Sequence, residues 1–180
     1  LTIQYLEPSP EVESLHPNQV GLQLQRAFDL LPFTHLLIGW EIPPRLLETC
    51  KKVADKYAIK FIRWHPLLTY NQAPIDPSLQ VINVFNKPIP GHGGMPEFTF
   101  FCPNHALAQE RIESNLYPHI HSGIYDGFFL DRIRFPSPSA DLYRGFGCFC
   151  TYCKKTAQEI DLDLDKIQQK LIESYQEKLY

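Results

Sequence analysis

The sequence contains no long apolar run, no basic stretch and no complete nucleotide-binding fingerprint. Its apolar segments are strand-sized, such as residues 35–40 (HLLIGW), and none approaches the roughly 18 residues of a membrane helix. With 17 basic and 20 acidic residues the net charge is −3, so we expect neither nucleic acid nor an anionic membrane as a partner. Residues 91–94 (GHGG) lack the G-x-G-x-x-G spacing, and we interpret them as a flexible loop.

The composition is that of an ordinary globular protein. Hydrophobic residues make up 44% and charged residues 21% of the 180 residues, which is enough chain for one domain with a substantial core. Aromatic residues reach 13%, a content that suits sugar-stacking sites and apolar cores equally well. Because the first residue is Leu, we expect the chain to be a processed product or an excerpt.

Short apolar segments alternate with amphipathic ones along most of the chain. We predict main strands at residues 2–6, 35–40, 59–64 and 127–131, and further strands at 98–102 and 81–85. Predicted helices cover residues 18–30, 43–57 and 103–119, and a last helix places Leu164, Ile167, Leu171, Tyr175 and Leu179 on one face. The residues between 65 and 96 and between 132 and 147 are predicted loops.

This alternation predicts an α/β fold with parallel strands joined by right-handed crossovers. The candidates are a doubly wound sheet and a (β/α)8 barrel. A full barrel needs about 250 residues, and the chain shows about four βα units. We therefore predict a partial TIM-barrel-like architecture, in one domain over residues 1–180 that lacks the C-terminal half of the barrel.

Three of the five cysteines lie within six residues, at Cys148, Cys150 and Cys153. C-x-x-C spacing turns two sulfurs onto one ion, as in structural zinc sites, and the C-x-C overlap adds a third ligand. For the fourth ligand we favour Cys102, with His105, Cys50 and the other histidines as alternatives. Free thiols and an iron–sulfur cluster are the competing interpretations, although the usual C-x₂-C-x₂-C spacing of the latter is not matched. Cys50 falls on an apolar helix stripe and is predicted to be core.

Candidate catalytic and binding residues stand at the carboxyl ends of the predicted strands, where parallel βα folds place their sites. Asp131 follows the apolar run 128–130 and is a candidate general acid, general base or nucleophile; an ion pair with Arg132 or Arg134 is the structural alternative. The candidate substrate-binding residues, each with an equally ordinary structural interpretation, are Trp40, Glu41, Trp64, His65 and Arg134.

Two cysteine segments, Phe101-Cys102-Pro103-Asn104 and Cys148-x-Cys150-x-x-Cys153, flank the strand that ends at Asp131. In this order they resemble the first half of the barrel in family 42 β-galactosidases and related glycosidase-like proteins. The resemblance implies a structural Zn²⁺ held by Cys102, Cys148, Cys150 and Cys153. That family ends its fourth strand with Asn-Glu, whereas this chain has Leu130-Asp131. The segment DGFFLD also resembles the D-G-h-h-x-D strand of uncharacterised glycosidase-like proteins.

From the residues and the resemblance together we expect a glycoside hydrolase-type domain that acts on an oligo- or polysaccharide. The alternative is a non-catalytic carbohydrate-binding or assembly module that keeps the zinc-stabilised framework. A third interpretation, zinc catalysis, requires His105 to displace a cysteine. Thiolate zinc sites favour reducing compartments, which predicts a cytoplasmic protein. A half-barrel has two open sheet edges, so we also expect a missing C-terminal half or a partner subunit that covers them.

Overall fold

The computed structural model describes residues 1–69, 76–91, 95, 98–138 and 141–178. Within these, the chain forms two compact units. Unit 1 comprises Leu1–Pro66 and Asn115–Asp131, and unit 2 comprises Leu67–Ser114 and Arg132–Tyr180. The predicted loop residues 92–94 and the predicted helix residue Leu179 lie outside the described residues. Among those described, no helix combines the length and the apolar character needed to cross a lipid bilayer.

Unit 1 is built on a four-stranded parallel sheet in the order β1-β2-β3-β4. The strands are β1 (Thr2–Tyr5), β2 (His35–Ile38), β3 (Lys60–Pro66) and β4 (Gly127–Asp131). Each strand pairs in parallel with the next one along the chain. The four main predicted strands are thus confirmed, and the sheet is open.

Two amphipathic helices, α1 (Pro17–Leu30) and α2 (Pro44–Lys56), connect the first three strands. Each begins at a proline, whose fixed φ suits the first helical turn. Their apolar sides pack against one face of the sheet and form the core of unit 1, in which Leu24, Leu36, Leu46, Cys50 and Phe61 are almost fully buried. Each such side chain contributes roughly 1.5–3 kcal/mol of burial free energy. The prediction that Cys50 is a core residue is confirmed.

The fourth strand is fixed by Asp126, directly before it. Its carboxylate accepts a hydrogen bond from the Phe61 N–H (2.9 Å), and its own N–H donates to the Phe61 carbonyl (2.8 Å). The hydrogen bond that the carboxylate accepts from Phe61 holds the pKa of Asp126 below its usual value, with Lys60 as a weaker contributor. We predicted that β4 is buried, and this is wrong: Phe129 is 50% exposed and Leu130 41%. In the described part of the chain β3 is the one strand that pairs with β4, so β4 is an edge strand with fewer neighbours to cover its side chains.

Helix α3 (Ala106–His121) begins in unit 2 and ends in unit 1. The long connection between β3 and α3 makes isolated antiparallel bridges, Thr69 to Phe100, Gln80 to Phe101 and Ile82 to Pro88. Residues 98–102 and 81–85 therefore do not form the predicted strands. Most of their side chains are buried, but each segment contacts its neighbours through one or two bridging residues instead of a ladder.

The rest of unit 2 consists of three helices, α4 (Leu142–Gly145), α5 (Thr151–Gln158) and α6 (Leu164–Glu177). Asp141 and Asp163 cap α4 and α6 by accepting hydrogen bonds from backbone N–H groups of the first turn. The apolar face of α6 packs on Val84, Tyr143 and Phe149, as the periodicity of the last helix predicted. Helix α4 lies within residues 132–147, which were predicted to be a loop.

These elements confirm the predicted fold class. The chain is an α/β protein whose open sheet of four parallel strands, with helices between them, is consistent with a partial TIM-like unit. The prediction of one barrel domain that lacks its C-terminal half stays a prediction.

Candidate metal centre and candidate active site

Four cysteines converge in unit 2. Their sulfur atoms all lie within 4.8 Å of one another, and Cys102 Sγ is 3.5 Å from Cys150 Sγ and 3.4 Å from Cys153 Sγ. Cys102, Cys148 and Cys153 are buried and Cys150 is half-buried. In the described part of the chain this is the group of ligand atoms close enough to hold a metal ion. It is the set that the spacing and the resemblance singled out.

Backbone hydrogen bonds bring these cysteines together from distant parts of the chain. The Cys102 N–H donates to the Leu79 carbonyl (2.8 Å), and the Phe149 N–H donates to the Ile82 carbonyl (2.9 Å). Gly147, directly before Cys148, runs close to the same segment: a Cβ atom there would lie 2.7 Å from the Ile82 carbonyl oxygen. The residues between 79 and 83 thus form a backbone template to which both cysteine segments are bonded.

Three of the four sulfurs accept hydrogen bonds from N–H groups outside the cluster or at the start of α5. The Ile82 N–H donates to Cys148 Sγ (3.3 Å), the Asn104 side-chain amide to Cys153 Sγ (3.3 Å) and the Cys153 N–H to Cys150 Sγ (3.5 Å). Hydrogen bonds that a thiolate accepts favour its ionised form. Bonding to Cys102 is the largest effect that lowers the pKa of Cys148 and of Cys150, while bonding to Cys148 is the largest effect that raises the pKa of Cys102.

The cluster fits a tetrahedral ion with four sulfur ligands. With Zn–S bonds of about 2.3 Å, the sulfurs of such a site lie about 3.8 Å apart, close to the spacing found here. Four thiolates close the coordination shell and leave no position for water, so an ion here would hold the segments together instead of activating a nucleophile. Zinc and iron both accept such a ligand set. The geometry is therefore compatible with a metal site but does not identify the metal.

The alternative ligands named from the sequence do not join this cluster. Cys50 lies in the core of unit 1, where burial raises the pKa of its thiol to about 12. His105 is buried in unit 2, with its ring 4.2 Å from the ring of Tyr152, and its Nδ1 has no hydrogen-bond partner among the residues that the structure describes. His105 is not among the clustered ligand atoms.

In unit 1, Trp40, Trp64 and Asp131 lie together at the carboxyl end of the sheet. The Trp64 indole N–H donates to an Asp131 carboxylate oxygen (3.0 Å). The rings of Trp40 and Trp64 lie 5.0 Å apart between centroids and meet edge-on at 82°. All three residues are half-buried. Trp64 also contacts Phe129 edge-on, at 6.4 Å. We call the three rings the aromatic corner.

His65 lies on the opposite face of the sheet from this group. Side chains alternate along a strand, and the ring of His65 contacts His119, near the end of α3, at 5.9 Å. Burial, followed by the charge of Arg63 and by His119, lowers the pKa of His65 to about 4, so its imidazole is neutral at pH 7. The structure therefore does not bring His65 together with Asp131 in one pocket.

The two remaining predicted binding residues belong to different units. Glu41 is exposed in the loop between β2 and α2 of unit 1. Arg134 belongs to unit 2, where its guanidinium lies 5.2 Å from the centroid of the Phe100 ring and donates to the Phe135 carbonyl (3.1 Å). Roles for these residues in substrate binding stay predictions.

Sequence reasoning missed three contributors to these sites. Arg63 is a buried strand residue whose charge gave no periodic signal, and Asn104 supplies a sulfur-bonding amide within the Cys-Pro-Asn segment. Asp126 was noted as the start of a strand, although its carboxylate sets the pairing of β4 with β3. An aspartate directly before a glycine and an apolar run was the available signal for that role.

Comparison with known proteins gives little to set beside this geometry. No protein-family model matches the chain, and no curated protein matches it either. Among solved structures, the chain is similar to a quadruple mutant of the alpha-N-acetylgalactosaminidase NagBb from Bifidobacterium bifidum, with a TM-score of 0.45 and 13% sequence identity. The match covers 72% of this chain and 27% of that one, so this chain spans about a quarter of that protein's length. A likeness at this level carries no weight for fold or function.

Proposed function

We propose that the chain is a glycoside hydrolase-type domain that cleaves a glycosidic bond in an oligo- or polysaccharide. The observation that carries this proposal is the hydrogen bond between Trp64 and Asp131 at the carboxyl end of a parallel sheet, with Trp40 edge-on to Trp64. Aromatic rings beside a carboxylate provide both a stacking surface for a sugar ring and a group able to transfer a proton or attack the anomeric carbon.

The indole N–H is a donor only, so it occupies an acceptor position on one carboxylate oxygen of Asp131. This bond orients the carboxyl group towards the aromatic rings. In this proposal Asp131 is the catalytic carboxylate, and Trp40 and Trp64 bind the sugar. Glycoside cleavage uses two carboxyl groups, so a second carboxylate must complete the site.

We further propose that the four-cysteine cluster binds zinc in a structural role. The closed set of sulfur ligands and the N–H groups directed at three of the sulfurs support this role. Cys102, Cys148, Cys150 and Cys153 would hold the ion and keep the segments around residues 79–83 in register. Because a thiolate site of this kind persists best in a reducing compartment, we also propose a cytoplasmic location.

The second candidate is a carbohydrate-binding module without hydrolytic activity. The observation that favours it is the same hydrogen bond, because this bond also gives Asp131 a structural role. In that case the aromatic corner binds the sugar and Asp131 fixes the position of Trp64.

A panel of aryl glycosides that release a chromogenic alcohol separates these functions. We expect hydrolysis by the wild-type chain and a loss of about a hundredfold or more in kcat in Asp131→Asn. Asp29→Asn, at an exposed aspartate of α1, is the matched control and should leave the rate unchanged. Sugar binding detected by tryptophan fluorescence, without hydrolysis of any glycoside, would support the binding module. Neither binding nor hydrolysis across the panel would overturn both proposals.

A further inference from the structure

A buried arginine, Arg63, lies on the helix-facing side of β3, with only 6% of its surface exposed. Its guanidinium donates hydrogen bonds to the Trp40 carbonyl (3.0 Å), to the Tyr125 hydroxyl (3.2 Å) and to His65 Nδ1 (3.5 Å). It also lies 5.5 Å from the centroid of the Tyr125 ring. A carbonyl, a phenol and a neutral imidazole are thus its partners, and none of them is a carboxylate.

This environment makes the geometry of the guanidinium important. A buried charge is destabilising unless hydrogen bonds compensate for its lost hydration. The guanidinium is planar and carries its donors in a fixed fork, so the groups that it binds are held in a fixed relative arrangement. Arg63 therefore joins three segments of unit 1: the loop after β2, β3 itself and the residues before β4.

The loop after β2 is held tightly where Arg63 binds it. Residue 39, before Trp40, must be glycine, because a Cβ atom there would lie 2.2 Å from the Leu6 carbonyl oxygen. On the next residue, the Trp40 carbonyl is the acceptor for Arg63. The backbone around Trp40 is thus confined by the end of β1 and tied to the guanidinium, while its ring lies edge-on to Trp64.

We propose that Arg63 is a positioning residue that holds Trp40 edge-on against Trp64 and so determines the geometry of the aromatic corner. The planes of the Trp40 and Trp64 rings lie at 82° to each other, so a sugar that stacks on the face of one ring meets the edge of the other. The angle between them decides which ring substituents fit. The identity of the ligand rests on the proposed function, whereas the arrangement of the rings does not.

The chain itself reports on this arrangement, because Trp40 and Trp64 are its two tryptophans. Closely spaced indoles give a near-ultraviolet circular dichroism band that depends on their relative orientation. In Arg63→Lys, which keeps a positive charge but loses the planar fork, we expect this band to fall to the sum of the spectra of Trp40→Phe and Trp64→Phe. Access of acrylamide to Trp40 should rise, and far-ultraviolet dichroism should stay unchanged.

Two further variants keep the test decisive. Tyr125→Phe removes one acceptor and leaves the core packing in place, so it should weaken the band in part even where Arg63→Lys does not fold. Arg26→Lys, at an exposed position on α1, is the matched control and should show the wild-type spectrum. A wild-type tryptophan band in both folded Arg63→Lys and Tyr125→Phe would overturn the positioning role.

The outcomes also separate this inference from the proposed function. If Arg63→Lys abolishes the band but no saccharide changes the wild-type fluorescence, Arg63 positions the rings and the carbohydrate assignment fails. If saccharides bind, we expect Arg63→Lys to raise KM or Kd more than it lowers kcat. The reason is that the Trp40 ring is displaced while Asp131 stays bonded to Trp64. An equal loss in folded fraction and activity, with unchanged KM, would indicate a merely structural arginine.

Discussion

At the scale of single residues, His65 shows how burial next to a cation determines a protonation state. It lies within hydrogen-bonding distance of Arg63 and in ring contact with His119, whose pKa is also lowered, first by burial and then by Arg63. Both imidazoles are thus kept neutral at pH 7. The Arg63 Nε–H donates to His65 Nδ1, which requires that nitrogen to be unprotonated.

This environment predicts that stability falls in mild acid. The pKa of His65 is lowered from 6.5 to about 4 on folding, so the unfolded chain binds more protons between these values. The stabilisation is complete above about pH 6.5 and is lost as the pH falls towards 4, by up to about 3 kcal/mol. Urea unfolding of unit 1 at several pH values measures this slope. His65→Gln should flatten the slope over that range, while His121→Gln, at an exposed histidine, should retain it; equal slopes in both variants would contradict the assignment.

At the scale of elements, the four-cysteine cluster joins segments that have little regular structure of their own. Residues 79–83, 100–102 and 147–149 make single bridges and isolated hydrogen bonds, and three of the four clustered cysteines belong to the same apolar core as Val81 and Phe100. Without a metal, the four cysteine side chains would pack together in this core, and only some of them would be ionised. A bound cation would neutralise the thiolates and would link these segments, which isolated bridges join in place of a continuous ladder of strand hydrogen bonds.

We therefore expect unit 2 to depend on its metal. Elemental analysis of the purified chain should find stoichiometric zinc, and Cys102→Ser should lose most of it and unfold at lower urea, because structural zinc contributes directly to folding free energy. Cys50→Ala is the matched control: it removes a buried thiol from unit 1 and should keep the zinc. A wild-type chain that folds with the same stability in excess chelator would show that the cluster is held by packing alone.

The sequence predicted the regular elements better than it predicted their exposure. Strong apolar periodicity located β1 to β4 and the helices α1, α2 and α6, since burial against a common core leaves a clear pattern. The apolar run at residues 128–130 gave the same signal, yet β4 is half exposed, because a run of large side chains does not reveal how many neighbours a strand will have. Residues 98–102 are likewise apolar enough to resemble a strand, but among the described residues they make only isolated bridges.

The candidate sites likewise contain some residues that local sequence signals identified and others whose role depends on the folded arrangement of the strands. Cysteine spacing is a local signal that indicated Cys148, Cys150 and Cys153, while the distant Cys102 was one favoured candidate among several and the resemblance supported it. The rule that strand ends share one edge of the sheet predicted that Trp64 and Asp131 lie at the same end, but not the hydrogen bond between them. The opposite orientation of His65, one residue along β3, and the anchoring role of Arg63 depend on which face each side chain takes, and this is fixed only by the register of the strands.

At the scale of the whole molecule, the sheet has two outer strands that no other described strand covers, β1 and β4. The β4 edge is the more apolar of the two, with Phe129 and Leu130 exposed on opposite faces. Unpaired backbone groups flanked by exposed apolar side chains favour the addition of a further strand. We propose that in solution a second copy of the chain pairs at this edge.

The proposal predicts concentration-dependent association that a charge on β4 removes. Leu130→Lys places an ammonium group on the exposed edge, where it disfavours strand addition, and should shift the chain towards monomer in sedimentation velocity experiments at micromolar concentrations. Leu30→Lys makes the same change at the end of α1, where the leucine is 85% exposed but lies on no strand edge, and should associate like the wild type. A wild-type chain that is monomeric throughout, or equal effects of the two lysines, would mean that β4 is not the contact; a monomer that binds carbohydrate would further show that one copy of the aromatic corner suffices.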